Sequence, residues 1–276
     1  MGTTSPDDFL GLALPVSGIA GDQQAALLGQ ACLARGTAKN TYGTGSFVLV
    51  NAGTEPPPPA AGLLGTVAWR LGGGDTFALE GSIFVTGAAL RWLVEIGLLS
   101  APAEAGELFA SVSDTAGCHF VPALTGLGAP WWDPGARGAF VGLTAAASRA
   151  HLVRAVVESM AYRTRDVVEA MERGSGVRFT ELRVDGGASR LDELCQFQAD
   201  VLGIPVTRSA SVEATAVGAA MLAALGSGLI DGIDSIERTW AAGRRFEPRE
   251  PGRRPGDAYE RWLEAVQRVR TNANVP

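Results

Sequence analysis

The stretch VSGIAGDQQAALLGQ, residues 16–30, sets an apolar, strand-like run against an alanine-rich, helix-like run, with one carboxylate, Asp22, at the junction. Two carboxamides, Gln23 and Gln24, follow it directly. An aspartate just before a helix reads as an N-cap, accepting backbone N–H bonds worth roughly 0.5–2 kcal/mol. A carboxylate at the C-terminal end of a strand also faces the crevice where α/β folds bind ligands, so it reads as a general base or an acceptor for a substrate hydroxyl too. A helix N-terminus keeps such a carboxylate ionised, which makes the two roles compatible. The local sequence does not choose between them.

Around this junction the pattern predicts an α/β chain. LPVSGIA (14–20) reads as a buried strand, and a helix follows from about Asp22 to Leu33. KNTYGTGSFVLVNAG (39–53) reads as two β segments joined at Gly43-Thr44-Gly45, where glycine permits a tight turn. The prolines of EPPPPA (55–60) cannot donate backbone hydrogen bonds, which predicts a surface loop before the strands LLGTVAWRL and TFALEGSI. From about Gly81 the apolar spacing turns helical through GSIFVTGAALRWLVEIG. CHFVPAL and GAFVGLT read as strands bracketing a glycine- and proline-rich loop. The strongest helix spans about 148–173, capped by Ser148, with Leu152, Val156, Met160, Val167 and Met171 on one face. ELRVDGG reads as a strand, LDELCQFQADVLG as a helix and IPVTRS as a strand; an alanine-rich helix and an amphipathic helix at about 256–270 complete the chain. A β-rich start followed by alternating β and α gives an α/β domain.

Composition narrows the function classes. A net charge of −6 with 19% charged residues lacks the basic stripe of a nucleic-acid binder. Lys39 is the only lysine, which reads as coding bias and not as a site. Cys32, Cys118 and Cys195 lie far apart in apolar runs, which suits buried thiols in a reducing, cytoplasmic setting better than disulfides. With His119 and His151 the only histidines, no zinc cluster is expected. The polar, acidic N-terminus is not a signal peptide, and ATAVGAAMLAALGSGLI (214–230) is too short for a membrane span and reads as a buried core helix.

Three glycine loops follow predicted strands: YGTGS (42–46), LEGSIFVTG (79–87) and VDGGAS (184–189). Each reads as a simple turn, or as a backbone cradle whose N–H groups bind phosphate oxygens, with the Thr44 hydroxyl adding a bond. The pair Trp131-Trp132 reads as a packing anchor for its loop, with stacking against a sugar as the alternative. The residues alone therefore lead to an α/β domain with a candidate phosphorylated ligand.

Taken together, SGIAGDQQAALLGQ, AKNTYGTGSF, ALEGSIFVTGAA, HFVPALTGLGAPWWDPGARG, LRVDGGAS and QFQADVLGIPV resemble the C-terminal half of the glycerol-kinase branch of the FGGY carbohydrate kinases, from about Leu14 to Trp262. The resemblance implies an actin-like ATPase (ribonuclease H-like) domain, a mixed sheet flanked by helices. Residues 1–32 would be the tail end of the family's N-terminal domain, and 33–276 its nucleotide-binding C-terminal domain. It implies ATP or ADP with Mg2+ carried by the nucleotide, glycerol as phosphoryl acceptor and a homo-oligomer for the intact enzyme. Asp22 matches the catalytic base, Gln23 a glycerol hydrogen-bonding group, and Phe47 the aromatic against the glycerol carbons. Thr44 matches a phosphate contact, and Gly87 and Gly187 match positions lining the nucleotide.

Two positions depart from the family pattern: Arg91 stands where glutamine is usual and Leu191 where asparagine is usual. Arginine can still donate to ribose or phosphate, leucine cannot, and Asp192 beside it is a candidate to compensate. One lost hydrogen bond costs about 0.5–1.5 kcal/mol, which weakens nucleotide binding without abolishing it. The family's chain is about twice as long, so this one is expected to lack the N-terminal domain with its phosphate loop, and to have little activity alone. A nucleotide-binding module without catalysis, or half of a kinase for another polyol or ketose, are the alternative readings.

Overall fold

The computed structural model describes residues 2–211 and 213–271. The strands are β1 (Thr37–Tyr42), β2 (Ser46–Gly53), β3 (Leu64–Leu71), β4 (Gly74–Ile83), β5 (His119–Val121), β6 (Ala139–Val141), β7 (Glu181–Gly186), β8 (Val206–Ser209) and β9 (Ala242–Phe246). The helices are α1 (Asp22–Gly29), α2 (Gly87–Glu95), α3 (Glu104–Ala110), α4 (Arg149–Ser175), α5 (Asp192–Leu202), α6 (Ala214–Gly226), α7 (Asp234–Thr239) and α8 (Asp257–Val269). A mixed sheet in the order β3-β4-β2-β1-β7-β8-β9 forms the centre. β1 runs antiparallel to β2 and parallel to β7, and β7 continues in parallel to β8.

The alternation of strand side chains sorts the core into two layers. Val48, Val50, Leu79, Leu182 and Val184 point to one face, where α4 packs with Val156, Met160, Val167 and Met171. Leu49, Ala78 and Trp69 point to the other, covered by Leu27 and Leu28 of α1, Leu222 of α6 and Ile236 of α7. α4 begins at Ser148, whose backbone N–H donates to His151 Nδ1 at 3.1 Å, and ends at Gly176 in the left-handed region. A third apolar cluster joins α8 to β5 around Tyr259 and Trp262.

α1 and α6 meet almost backbone to backbone. A Cβ on Gly29 would lie 2.0 Å from the Ala214 carbonyl oxygen, and one on Gly218 would lie 1.8 Å from that of Ala25. This contact explains the alanine- and glycine-rich α6, which is only partly buried and not the buried core helix its composition suggested. Among the described residues no helix is long and apolar enough to cross a membrane.

Other expectations need correction. Residues 14–20 form no strand beyond an isolated bridge between Thr3 and Pro15, and Leu14 and Ile19 are exposed. No strand among the described residues pairs with this apolar run. α1 stops at Gly29, short of Leu33, and the chain turns through Ala31 at φ 50°. Residues 81–83 still pair with β2, so the helical spacing becomes a helix only from Gly87. β9 carries exposed Arg244 and Arg245 on the sheet edge, without the alternation that reveals a strand. The Trp pair is a packing anchor: Trp131 Nε1 donates to Asp166 at 3.1 Å and Trp132 Nε1 to the Gly62 carbonyl at 2.7 Å.

A side chain at the α1–α6 contact is expected to force the helices apart. Gly218→Val should cost about 1–3 kcal/mol, the usual range for overpacking; an unchanged unfolding midpoint in urea would contradict the contact.

Candidate active site

β1 and β7 are parallel and end side by side, at Tyr42 and Gly186. Ligand crevices of open α/β sheets lie at such carboxyl ends. A cavity of about 1030 Å³ opens there on the α4 face, between the Gly43–Gly45 turn, α2, α3 and the start of α5. Thr44, Gly87 and Gly187 all line it, together with Arg91 and Leu191. The three nucleotide candidates from the sequence are therefore brought together.

The three glycine loops play different parts. At the N-terminus of α2, the N–H groups of Thr86, Gly87 and Ala88 donate to the Gly43 and Thr44 carbonyls at 3.0–3.1 Å. Those amides hold the β1–β2 turn in place and are not turned to a ligand, contrary to the cradle expected of that loop. A Cβ on Gly87 would sit 2.5 Å from the Gly43 oxygen, so glycine there serves the close approach. Gly186, at φ 84°, packs its α-carbon against the Tyr42 carbonyl, where a Cβ would lie 2.4 Å away. Gly187 differs, because a Cβ there would meet nothing within 4 Å. It borders the cavity, and no packing contact there demands a glycine.

Both departures from the family pattern have visible consequences. Arg91 Nη2 donates to Thr44 Oγ1 at 3.2 Å, which places a cation beside the hydroxyl expected to touch phosphate. Leu191 is the N-cap residue of α5 and makes no side-chain cap, so the helix loses the bond an asparagine would supply. Asp192 also lines the cavity, with its carboxylate paired with Arg208 at 2.8 Å and with Arg244.

Asp22, Gln23 and Phe47 lie outside the cavity lining, toward the α1 face. Gly21, not Asp22, is the N-cap of α1, so the capping role is displaced by one residue. Asp22 is exposed in the first turn, with Oδ1 accepting the Gln23 N–H at 2.8 Å and Oδ2 accepting Gln23 Nε2 at 3.3 Å. Phe47 pairs across the β1–β2 ladder with Thr41, so both point to the face on which α1 packs, and its ring is half-exposed. The Gly43–Gly45 turn thus runs from the cavity rim into β2 and Phe47, while Asp22 and Gln23 lie on α1 over the other face of the sheet.

Beneath Asp22 lies a group the sequence did not flag. Lys39 is fully buried, and its Nζ donates to Gln23 Oε1 and, at 3.1 Å, to Thr41 Oγ1. Burial lowers its pKa from 10.5 to about 8, against the opposing charges of Asp185, Glu80, Cys32 and Asp22. Burial also raises the Asp185 carboxyl. Thr41, Gln30 and the Ala214 amide oppose that rise, yet Asp185 Oδ1 has no hydrogen-bond partner among the described residues. Glu80 is raised by burial as well. Coding bias accounts for the scarcity of lysine but not for the burial of this one. The available signal was a solitary lysine, two residues before Thr41 on an alternating strand.

A mixed sheet with glycine turns converging at the ends of its parallel strands defines a domain of the actin-like ATPase class. The family model for the C-terminal domain of the FGGY family of carbohydrate kinases matches residues 38–227, and the chain belongs to that family. A glycerol kinase from Caldanaerobacter subterraneus subsp. tengcongensis is 51% identical over 95% of the chain and 53% of its own length. One from Halobacterium salinarum is 50% identical over 97% of the chain and 52% of its own length. Among solved structures, Plasmodium falciparum glycerol kinase with ADP superposes with a TM-score of 0.85 at 32% identity, over 95% of this chain and 52% of that one. A xylulose kinase from Lactobacillus acidophilus shares the fold, with a TM-score of 0.78 at 19% identity. The chain spans about half the length of the curated relatives it matches.

The lowered Lys39 pKa carries a pH signature. Below about pH 8 the folded and unfolded chains both hold the proton, and burying the charge costs roughly 3 kcal/mol. Between about 8 and 10.5 only the unfolded chain keeps it, so stability rises with pH. Relative to Lys39→Met, the native chain should gain roughly 2 kcal/mol in urea unfolding between pH 7.5 and 9.5. Parallel curves for the two proteins would contradict the shift.

Proposed function

We propose that this chain is the nucleotide-binding half of an ATP-dependent glycerol kinase, which moves the γ-phosphate of ATP to glycerol and yields glycerol 3-phosphate. The observation that carries the reading is the cavity at the ends of β1 and β7, lined by Thr44, Gly87 and Gly187, with the exposed carboxylate of Asp22 on the opposite face of the sheet. The nucleotide lies in the cavity, with Gly187 leaving it room, Thr44 and Arg91 toward its phosphates, and Gly87 holding the turn. Phe47 packs against the glycerol carbons, and Gln23 binds a hydroxyl. As that hydroxyl oxygen attacks the γ-phosphorus and the bond to the β-phosphate oxygen breaks, Asp22 accepts its proton.

The described residues hold no group of three or more His, Cys, Asp and Glu fit to cage a metal. Mg2+ is expected to arrive on the phosphates, since that ion is usually held by one or two carboxylates plus substrate oxygens. Bound there, Mg2+ would neutralise charge developing on the phosphates. Residues 1–32 form the tail of the family's N-terminal domain and 33–276 its C-terminal domain. The rest of that N-terminal domain is the partner that closes the cleft, and the intact enzyme is a homo-oligomer. Alone, the chain is expected to bind nucleotide with little transfer. A module that binds nucleotide without catalysis is the second reading, favoured by the uncapped Leu191.

Calorimetric titration with Mg-ADP tests the nucleotide reading. Binding is expected, weakened at least tenfold by Gly187→Ala with the fold intact. Leu191→Asn should tighten it about 2–10-fold, the equivalent of one hydrogen bond. No binding by the native chain or by Leu191→Asn would overturn the cavity as a nucleotide site.

A further inference from the structure

The Gln23 side chain has two ends of opposite character. Its Oε1 accepts from Lys39 Nζ, while its Nε2 faces Asp22 Oδ2 at 3.3 Å. Reversing the carboxamide would set its NH2 against an ammonium, donor against donor, and turn its oxygen toward a carboxylate. A buried cation on one side therefore dictates which end Gln23 shows to Asp22 on the other. Because Asp22 Oδ1 also accepts the Gln23 backbone N–H at 2.8 Å, both carboxylate oxygens are held by this one residue. Gln24, next along, bonds Thr66 Oγ1 at 3.2 Å and takes no part.

We propose that Lys39 is the positioning residue of the site: its ammonium fixes the Gln23 carboxamide, and through it the carboxylate of Asp22. The purpose of the device, aiming a base at the glycerol hydroxyl, rests on the function proposed above; the clamp itself does not. Lys39 does not touch the substrate. It supplies a rigid donor from the floor of the sheet, set by strand β1 and covered by α1. Nζ has three N–H groups, two of them given to Gln23 and Thr41. Four groups act on its charge: Asp185 from β7, Glu80 from β4, Asp22 from α1 and Cys32 just beyond it. Burial drives the ammonium toward neutrality, to a pKa of about 8, while the carboxylates, Asp185 first, oppose that fall; the Cys32 thiol, raised to about 12, is uncharged at neutral pH. The clamp is therefore charged at neutral pH and loses its charge in mildly alkaline solution.

Because Lys39 is the only lysine, selective 15N and 13C labelling of lysine gives a single side-chain signal that needs no assignment. The experiment follows that signal, the Gln23 side-chain NH2 pair and the Asp22 Cγ from pH 6 to 10 in the intact chain, with no ligand added. We expect one Lys39 titration near pH 8, with Gln23 NH2 and Asp22 Cγ stepping at the same midpoint and the Gln24 NH2 pair unmoved. In Lys39→Met the step at Gln23 should vanish. A Gln23 NH2 pair that stays flat through the Lys39 titration would overturn the proposal, as would a Gln23 step retained in Lys39→Met. The native titration decides the matter if that variant does not fold. Failure of the kinase reading would show separately, in nucleotide binding and phosphoryl transfer.

Discussion

The register of β1 is the constraint on which the rest depends. This strand is paired on both edges, antiparallel to β2 and parallel to β7. Ala38, Asn40 and Tyr42 point to the α4 layer, where Asn40 bonds Thr164 at 3.2 Å and Tyr42 bonds Gln198 at 2.9 Å. Lys39 and Thr41 point to the α1 face. A slip of one residue would drive an ammonium into the apolar layer and lift Tyr42 out of it. With β1 fixed, the Gly43–Gly45 turn is delivered to the cavity rim, and a polar floor is set beneath Asp22. One strand thereby serves both halves of the site.

The layers around β1 hold because a few polar groups are fully satisfied where they are buried. Asp166, on the inner face of α4, accepts from Arg163 at 2.5 Å, Tyr259 at 2.6 Å, Trp131 at 3.1 Å and Trp262 at 3.3 Å. This one carboxylate ties α8 and the tryptophan loop to the long helix. A buried ion pair adds little by itself, but removing one partner leaves a charge stranded and is strongly destabilising. Lys39 is a different case. Its burial depresses its pKa, and nearby Asp185 keeps one oxygen unpartnered. Perturbed groups are not confined to that region, since burial and the Asp166 carboxylate also raise the Tyr259 hydroxyl in the α8 anchor.

Much of this was legible in the sequence. The β1–β2 hairpin, α4 with its Ser148 start, and the glycine turns at 43–45 and 186–187 were all signalled by periodicity and turn chemistry. What failed has physical causes. Residues 14–20 have strand-like side chains, yet no neighbouring strand among those described. The composition of α6 resembled a core helix because close backbone approach and burial both favour alanine and glycine. Gly186 and Gly187 looked alike in sequence, although one packs against the Tyr42 carbonyl and the other borders the open cavity; only the space around each tells them apart. Lys39 was missed because a polar residue on an alternating strand normally faces water, and here α1 covers that face. Asp22 was a candidate base from its place at a strand–helix junction, where capping was the competing reading, whereas the roles of Gln23 and Phe47 came from resemblance alone.

The central proposal is that this chain supplies the base of a glycerol kinase. The direct measurement is transfer of label from γ-labelled ATP to glycerol, with the chain joined to the N-terminal half of the Caldanaerobacter relative, for native Asp22 and Asp22→Asn. The account predicts labelled glycerol 3-phosphate from the native form, and a rate lower by about 10²–10⁴-fold for the variant with Mg-ADP affinity unchanged. A variant that transfers phosphate at the native rate would contradict it.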